Sequence, residues 1–359
     1  MLVSVSLLLM IASLVTLHTG RVKSLEHKIL LNTQNQAQSA ATALGGLAHG
    51  MSRIQVDSGW LGQEHTIVLD NNLRAKVWAD FHQVPRNNMN LHWATVYASG
   101  ESADEQSHHY VSEQVLRYPF LNTVPPAPLI SAIELPANLP FTLGANPNGG
   151  GQGVPVSVWS DKPIPNIDVD SRTCSLQLFD ESRCAFDMYS THSQLGSDLL
   201  KEHSAFPGDV LSYLFNISMN DWRILKSEVS LIASDCDEAT VTGQRVIWVQ
   251  GECALNVGQH IGSDSAPVIL VLANSALLMP ADSRIFGLVV FLSTLNPAPE
   301  KRIAMAASAQ LNGALVLLSP IEVAMSQLSV RYHASVLARL HLDADMQRLG
   351  KVSGSWRDF

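Results

Sequence analysis

The cysteines carry the most definite chemistry in this sequence. Cys174, Cys184, Cys236 and Cys253 include no C-x-x-C pair, so a zinc-finger or thioredoxin-like reading has little support. Four cysteines allow three pairings. The sequence-local one, Cys174 with Cys184 and Cys236 with Cys253, closes two short loops. Each bridge would add about 2–4 kcal/mol in an oxidising compartment. The alternative is four buried free thiols in a cytosolic protein.

Other chemistry-bearing residues form weaker patterns. His108 and His109 sit in the polar stretch "SADEQSHHYVSE" with Asp104 and Glu105 nearby. Adjacent residues on a strand point to opposite faces, so a solvated surface is expected there rather than a metal site. "SDCDEAT" gathers Asp235, Asp237 and Glu238 around Cys236 but lacks the alternating ligands and Gly of an EF-hand loop. The glycines of "GGGQG" at 149–153 have neither the Gly-Lys-Ser/Thr ending of a P-loop nor the G-x-G-x-x-G spacing. No G-x-S-x-G elbow and no H-E-x-x-H occurs. No catalytic, cofactor-binding or metal-ligating residue is therefore expected, and no cofactor.

The elements around these residues are more telling. From Leu2 to Leu17 there is no charge and no proline. A helix over residues 1–20 would be just long enough to cross a bilayer core, which takes about 20 residues. Leu2, Leu7, Leu8, Leu9, Ile11, Leu14 and Leu17 are the expected lipid-facing side chains. Neither a basic n-region nor an Ala-x-Ala-like cleavage site is present, so the segment is expected to be kept. Beyond Arg21 the apolar pattern continues. Leu30, Ala37, Leu44 and Met51 recur every seven residues, and Thr33, Ala40, Leu47 and Ile54 follow three on. That spacing predicts an amphipathic helix over 21–56, with Leu30, Ala37, Ala40, Leu44, Leu47 and Met51 as its packing face.

The stretch "LVSVSLLLMIASLVTLHTGRVKSLEHKILLNTQNQAQSAATALGGLA" resembles the N-terminal helix of PilX-type minor pilins, the type IV pilus assembly family. The shared features are an apolar start, basic residues just beyond it and an Ala-rich continuation. The resemblance extends to "VPVSVWS" at 154–160, to the run of strand-like segments beyond 245, and to the closing "KVSGSWRDF". In that family a leader ending in Gly precedes the helix and is removed by a prepilin peptidase; the sequence shows none, which fits either a leader encoded in frame upstream or a protein that stays a membrane anchor. Major pilins carry a Glu at the fifth mature position, whereas here no acidic residue precedes Glu26. Minor pilins of this type often lack that Glu.

"HTIVLDNNLRAKVW" reads as two strands around an Asn-Asn turn, and "HHYVSEQVLRY" as a further strand. Residues 57–118 are thus expected to form a small sheet on the helix. Pro and Gly crowd 119–155, which reads as a linker or an irregular wrap. Residues 156–359 read as a β-rich domain with strand repeats over 245–335. "RVIWVQGECALNV", "PVILVLANSALLM", "RIFGLVVFLSTL" and "QLNGALVLLSPIEV" each place small or polar residues after a Val/Leu/Ile run. Ile285-x-Gly287 and Leu311-x-Gly313 precede two of the strands. Such a phrase predicts stacked strand-turn units, a partial β-solenoid or a compact parallel sheet, with strands buried on both sides. At the end, Trp356 and Phe359 are expected to dock through their aromatic area.

The fold class is therefore α+β: a long N-terminal membrane and amphipathic helix, then a β-rich region. Net charge is −9, from 23 basic and 32 acidic residues, which argues against a nucleic-acid partner. The resemblance implies a non-enzymatic, minor pilin-like subunit in pilus assembly or priming. It would be single-pass in the inner membrane with its bulk in the periplasm, and extracellular once part of a pilus. Arg21, Lys23 and Lys28 lie on the far side of the span, against the positive-inside rule. The implied partners are other pilins and minor pilins, the inner-membrane assembly platform and lipid. The alternatives are a membrane-anchored adhesin or structural protein, and a β-solenoid enzyme acting on polysaccharide. The latter would need charged residues converging on a groove, and "VILVLA", "LVVFL" and "ALVLL" carry none.

Overall fold

The computed structural model of the chain describes residues 2–57, 60–69, 72–86, 89–164, 166–241, 243–298, 300–323 and 327–359. It has two compact units, Met1–Tyr118 with Arg348–Phe359, and Pro119–Gln347. An N-terminal helix followed by a β-rich body makes the chain α+β.

The first unit starts with one unbroken helix, α1 (Leu2–Val56). At 1.5 Å per residue it is roughly 80 Å long. Four antiparallel strands follow: β1 (His65–Val68), β2 (Arg74–Arg86), β3 (Met89–Glu101) and β4 (His108–Pro119). They lie side by side in chain order, and Gln347–Lys351 adds a strand beyond β4. The hairpin read from "HTIVLDNNLRAKVW" is β1–β2, with His65 opposite Val77. Of its Asn-Asn turn, Asp70 and Asn71 lie outside the described residues; Asn72 takes a left-handed φ of 62°, which Asn tolerates. Strict alternation turns Val77 and Ala79 of β2, Ala94, Val96 and Ala98 of β3, and Val111 and Val115 of β4 into one core with Ala43, Leu47 and Ile54 of α1.

The second unit is built from short strands that stack in register. In chain order they are β5 (Leu129–Ser131), β6 (Phe141–Gly144), β7 (Val158–Ser160), β8 (Arg172–Cys174), β9 (Ser190–Thr191) and β10 (Leu199–Leu200). Next come β11 (Leu231–Ala233), β12 (Val246–Val249), β13 (Cys253–Ala254), β14 (His260–Ile261), β15 (Val268–Ala273) and β16 (Leu277–Met279). The series ends with β17 (Arg284–Leu292), β18 (Lys301–Met305), β19 (Gln310–Leu317), β20 (Ile321–Val323) and β21 (Leu328–Arg331). Among the described residues five α-helices are interspersed: α2 (Leu176–Asp180), α3 (Val210–Phe215), α4 (Trp222–Glu228), α5 (Cys236–Val241) and α6 (Ala334–Leu342).

Successive coils pair in parallel. β12, β15, β17 and β19 form one face, and β13, β16, β18 and β20 another. The repeats read from sequence are these coils. Their apolar runs are continuous because both strand faces are covered. Ile247, Leu270, Val289 and Leu315 point into the coil interior, while Trp248, Val271, Val290 and Val316 join an outer cluster with residues of α3, α4 and α6.

The two glycines of the repeated phrase occupy stacked corners, where Gly287 lies opposite Gly313. Their φ angles are 145° and 147°, and a Cβ on either would lie 1.8 Å from the carbonyl oxygen of the coil before it. Only glycine fits such a corner.

The division of the chain differs from the sequence reading at two places. Residues 119–155, read as a linker or wrap, carry β5 and β6, which continue the stack by pairing with β19 and β21. Residues 348–359 belong to the first unit.

Candidate functional site

Residues 7–34 of α1 are exposed without interruption. They include Leu7, Leu8, Leu9, Ile11, Leu14 and Leu17, and the large apolar side chains from Leu7 to Leu31 are 39–68% exposed. Leu2 lies in the helix, but its side chain is outside the described residues. Several hydroxyls in this half fold back onto the helix. Ser13 Oγ donates to the Leu9 carbonyl at 2.9 Å, and Thr16 and Thr19 donate to Ala12 and Val15 at 2.7 Å. Polar groups folded back onto the helix in this way can enter an apolar surrounding without an orphaned donor. Among the described residues no helix is long and apolar enough to cross a membrane. The single-pass anchor expected over 2–20 is thus unsupported; part of it, the side chains of residues 2–6, lies outside the described residues.

The second half of α1 packs on the sheet, but not through the face read from its heptads. Leu30 is 68% exposed and Leu44 48%, Ala37 is exposed, and Ala40 and Met51 are half-buried; of that set only Leu47 is buried. The buried stripe is Ser39, Thr42, Ala43, Gly46, Leu47, Gly50 and Ile54. Small residues stand there because the helix lies almost on the strands. A Cβ on Gly100 of β3 would come within 2.2 Å of the Ala43 nitrogen, and one on Gly50 within 2.7 Å of Val77. A hydropathy pattern weighs large side chains and so selects the opposite face. Leu30, Ala37 and Leu44 continue the uncovered apolar surface of the first half.

Beyond the helix's last turn lies a cavity of about 230 Å³, whose lining includes Ile54, Phe81, Gln83, His92 and Arg117. The Arg117 guanidinium donates to the Ile54 carbonyl, and burial pushes its pKa down. It thereby satisfies one of the carbonyls that a helix end leaves unpaired.

The tail docks by a route other than the expected one. Arg357–Asp358 pairs antiparallel with β4, and His109 Nε2 lies 2.7 Å from Asp358 Oδ1. Trp356 and Phe359 remain 48% and 69% exposed, so backbone pairing rather than ring burial holds this end.

The cysteines form the sequence-local disulfides Cys174–Cys184 and Cys236–Cys253, spanning 10 and 17 residues. All four are buried. The first ties the end of β8 to the loop after α2, and the second ties the start of α5 to β13. Two disulfides fit a periplasmic or extracellular protein.

The remaining chemical motifs resolve into structural parts. His108 faces Glu101 at 3.9 Å, on the opposite side of β4 from His109. Asp235 caps α5, its Oδ1 accepting from the nitrogens of Asp237 and Glu238 at 3.0 and 3.2 Å. In the glycine run, Gly150 N donates to the Val154 carbonyl at 3.0 Å and Gly153 N to Asn148 Oδ1 at 2.7 Å. Those donors are spent on the loop itself. Among the described residues no group of three or more His, Cys, Asp or Glu side chains could hold a metal ion.

No family model matches the chain, and no curated protein matches it. Among solved structures it is similar to the competence-associated pilin ComZ from Thermus thermophilus. That alignment covers 90% of this chain and 97% of the other at 9% identity, with a TM-score of 0.22. A likeness at that score does not show a shared fold.

Proposed function

We propose that the chain is a pilin-like, non-enzymatic subunit of a type IV pilus-related assembly, carried on its N-terminal helix. The observation that carries this reading is the uncovered apolar surface of α1 over residues 7–34. Fully burying one large apolar side chain is worth about 1.5–3 kcal/mol. Summed over the exposed ones, the stabilisation open to a lipid or helical partner is on the order of 20 kcal/mol. In this reading lipid covers residues 2–20 first, and the helices of other pilins cover them later. The family resemblance of residues 2–48 supplies the kind of partner: pilins, minor pilins and the inner-membrane assembly platform. The two disulfides fit a bulk that sits on the oxidising side.

The test is the behaviour of the intact chain. Membranes of the producing cell should retain it until detergent is added, and removal of detergent should bring self-association in analytical ultracentrifugation. A full-length monomer that stays in solution without detergent, with residues 7–31 protected from hydrogen–deuterium exchange inside its own fold, would overturn the reading.

A further inference from the structure

The second unit carries a polar groove across its otherwise apolar coils. Its floor is the row of outward-facing side chains at one position of five successive rungs: Arg284 on β17, Gln310 on β19, Ser329 on β21, Thr142 on β6 and Arg172 on β8. These residues line a cavity of about 540 Å³. Four rung-to-rung steps of about 4.8 Å put the two arginines roughly 19 Å apart. Among the described residues, neither makes an ion pair with a carboxylate.

One wall is built and anchored. The loop after α2 is fixed by the Cys174–Cys184 disulfide, and Asp180 at the end of α2 takes a bidentate pair from Arg331, at 2.5 and 2.7 Å. Just outside the lining, this loop presents Phe186, 76% exposed, with the Arg183 guanidinium 5.1 Å from its ring centre. On the floor, Gln327 Nε2 donates to Thr142 Oγ1 at 2.7 Å, which orders the amide at mid-groove.

We propose that this groove binds an extended acidic polysaccharide, with Arg172 and Arg284 taking carboxylates and the amide and hydroxyl rungs between them taking sugar hydroxyls. The floor is the face of a sheet whose backbone groups are already paired, so a peptide cannot add as a strand. Side chains must do the recognition, and those present are hydrogen-bonding rather than apolar. A nucleic acid presents a phosphate at every nucleotide and needs a dense row of cations. Two arginines that form no ion pair among the described residues, Arg172 with its Nε on the Asp170 carbonyl at 3.4 Å, match a polymer of sparser charge, since the groove is also lined by Asp282 and by Asp180, the latter held by Arg331. Phe186 offers a flat apolar surface of the kind on which the C–H face of a sugar ring packs. This proposal is independent of the N-terminal helix and of what covers it.

The experiment is isothermal titration of the full-length protein in detergent micelles with defined probes. These are hexamers of galacturonate and of mannuronate, the neutral hexamer maltohexaose, the uronate trimers, and a 12-nucleotide single-stranded DNA. At least one uronate hexamer should bind, and its trimer should bind far more weakly because it cannot span both arginines. Removing a charged hydrogen bond costs about tenfold or more, so Arg284→Gln and Arg172→Gln should each weaken binding by about tenfold. Gln310→Glu, which repels carboxylates from mid-floor, should weaken it too without changing the melting temperature; this variant keeps the test sound if an arginine variant folds poorly. The proposal is overturned by the failure of both uronate hexamers to bind, or by binding that these variants leave unchanged. Equal affinity for maltohexaose, or tighter binding of the DNA, also overturns it.

Discussion

Two stretches of this chain are both rich in leucine, valine and isoleucine, and the structure treats them in opposite ways. In β15, every residue of "VILVLA" is buried, alternating between the coil interior and the outer cluster beneath the helices. In the first half of α1, every residue from Leu7 to Leu31 is exposed. The strands find both of their apolar surroundings within their own unit. The helix finds none among the described residues. Hydrophobic content alone therefore does not mark a core; a surface that its own fold leaves bare marks what must be supplied from outside. The comparison can be broken at either end, and the expected losses of folding stability run from large to nearly nothing.

The largest loss is expected at the coil corners. Gly313→Val places a branched side chain at a φ of 147° and drives its Cβ to 1.8 Å from the Gly287 carbonyl oxygen. Since Gly287 is stacked in the same way on Val268, the strain cannot be passed to the next coil. The cost should exceed about 4 kcal/mol, the range reserved for strain and overpacking in a core. Thermal unfolding followed by circular dichroism should show the β signal lost at a much lower temperature, with the α1 signal less affected. A variant that melts with the parent would mean that the corner is not a fixed feature.

These corners are also where the sequence was most readable. Ile285-x-Gly287 and Leu311-x-Gly313 repeat because each coil needs the same corner, so a local constraint leaves a local trace. The coils contributed by β5 and β6 left none. They are three and four residues long, and each reaches the repeats only through a partner far along the chain, as with Leu129 opposite Leu315 and Phe141 opposite Leu328. Pro and Gly crowd the wider stretch 119–155 that holds them, so composition alone suggests a wrap. The groove is equally hidden: Thr142, Arg172, Arg284, Gln310 and Ser329 meet only because distant coils stack. On α1 the helix itself was legible from its period. Its packing face was not, because closeness to the sheet selects Ser39, Ala43, Gly46 and Gly50, which carry little hydropathy.

That contact sets the middle of the scale. In Gly50→Leu the new side chain must displace Val77 and Val96, whose γ-methyls would lie 2.7 and 2.8 Å from its Cβ. Overpacking of this kind costs about 1–3 kcal/mol, partly offset by about 1 kcal/mol of helix propensity gained over glycine. Chemical denaturation should show the first unit destabilised by a net of up to about 2 kcal/mol, with the second unit unchanged. The same substitution at Ala37, on the exposed face, should be neutral. An equal loss at both positions would place the sheet contact on the wrong side of the helix.

The smallest expected loss falls on the most apolar segment of the chain. Leu9→Arg and Leu14→Arg each put a charge on a side chain that the folded protein leaves largely bare, since Leu9 is 64% and Leu14 58% exposed. Exposed substitutions away from specific contacts change stability by about 0.5 kcal/mol or less. Both variants should therefore unfold at the parent's denaturant midpoint. A charge at the centre of a membrane-spanning helix, however, costs about 2.5–3.5 kcal/mol on insertion scales, so two should release the protein from membranes in fractionation. That pairing of results, intact folding with lost retention, separates a segment built for an external partner from one that stabilises its own unit. If the double variant instead lost folding stability as a core strand would, α1 would have a covering within the chain, and its contrast with β15 would disappear.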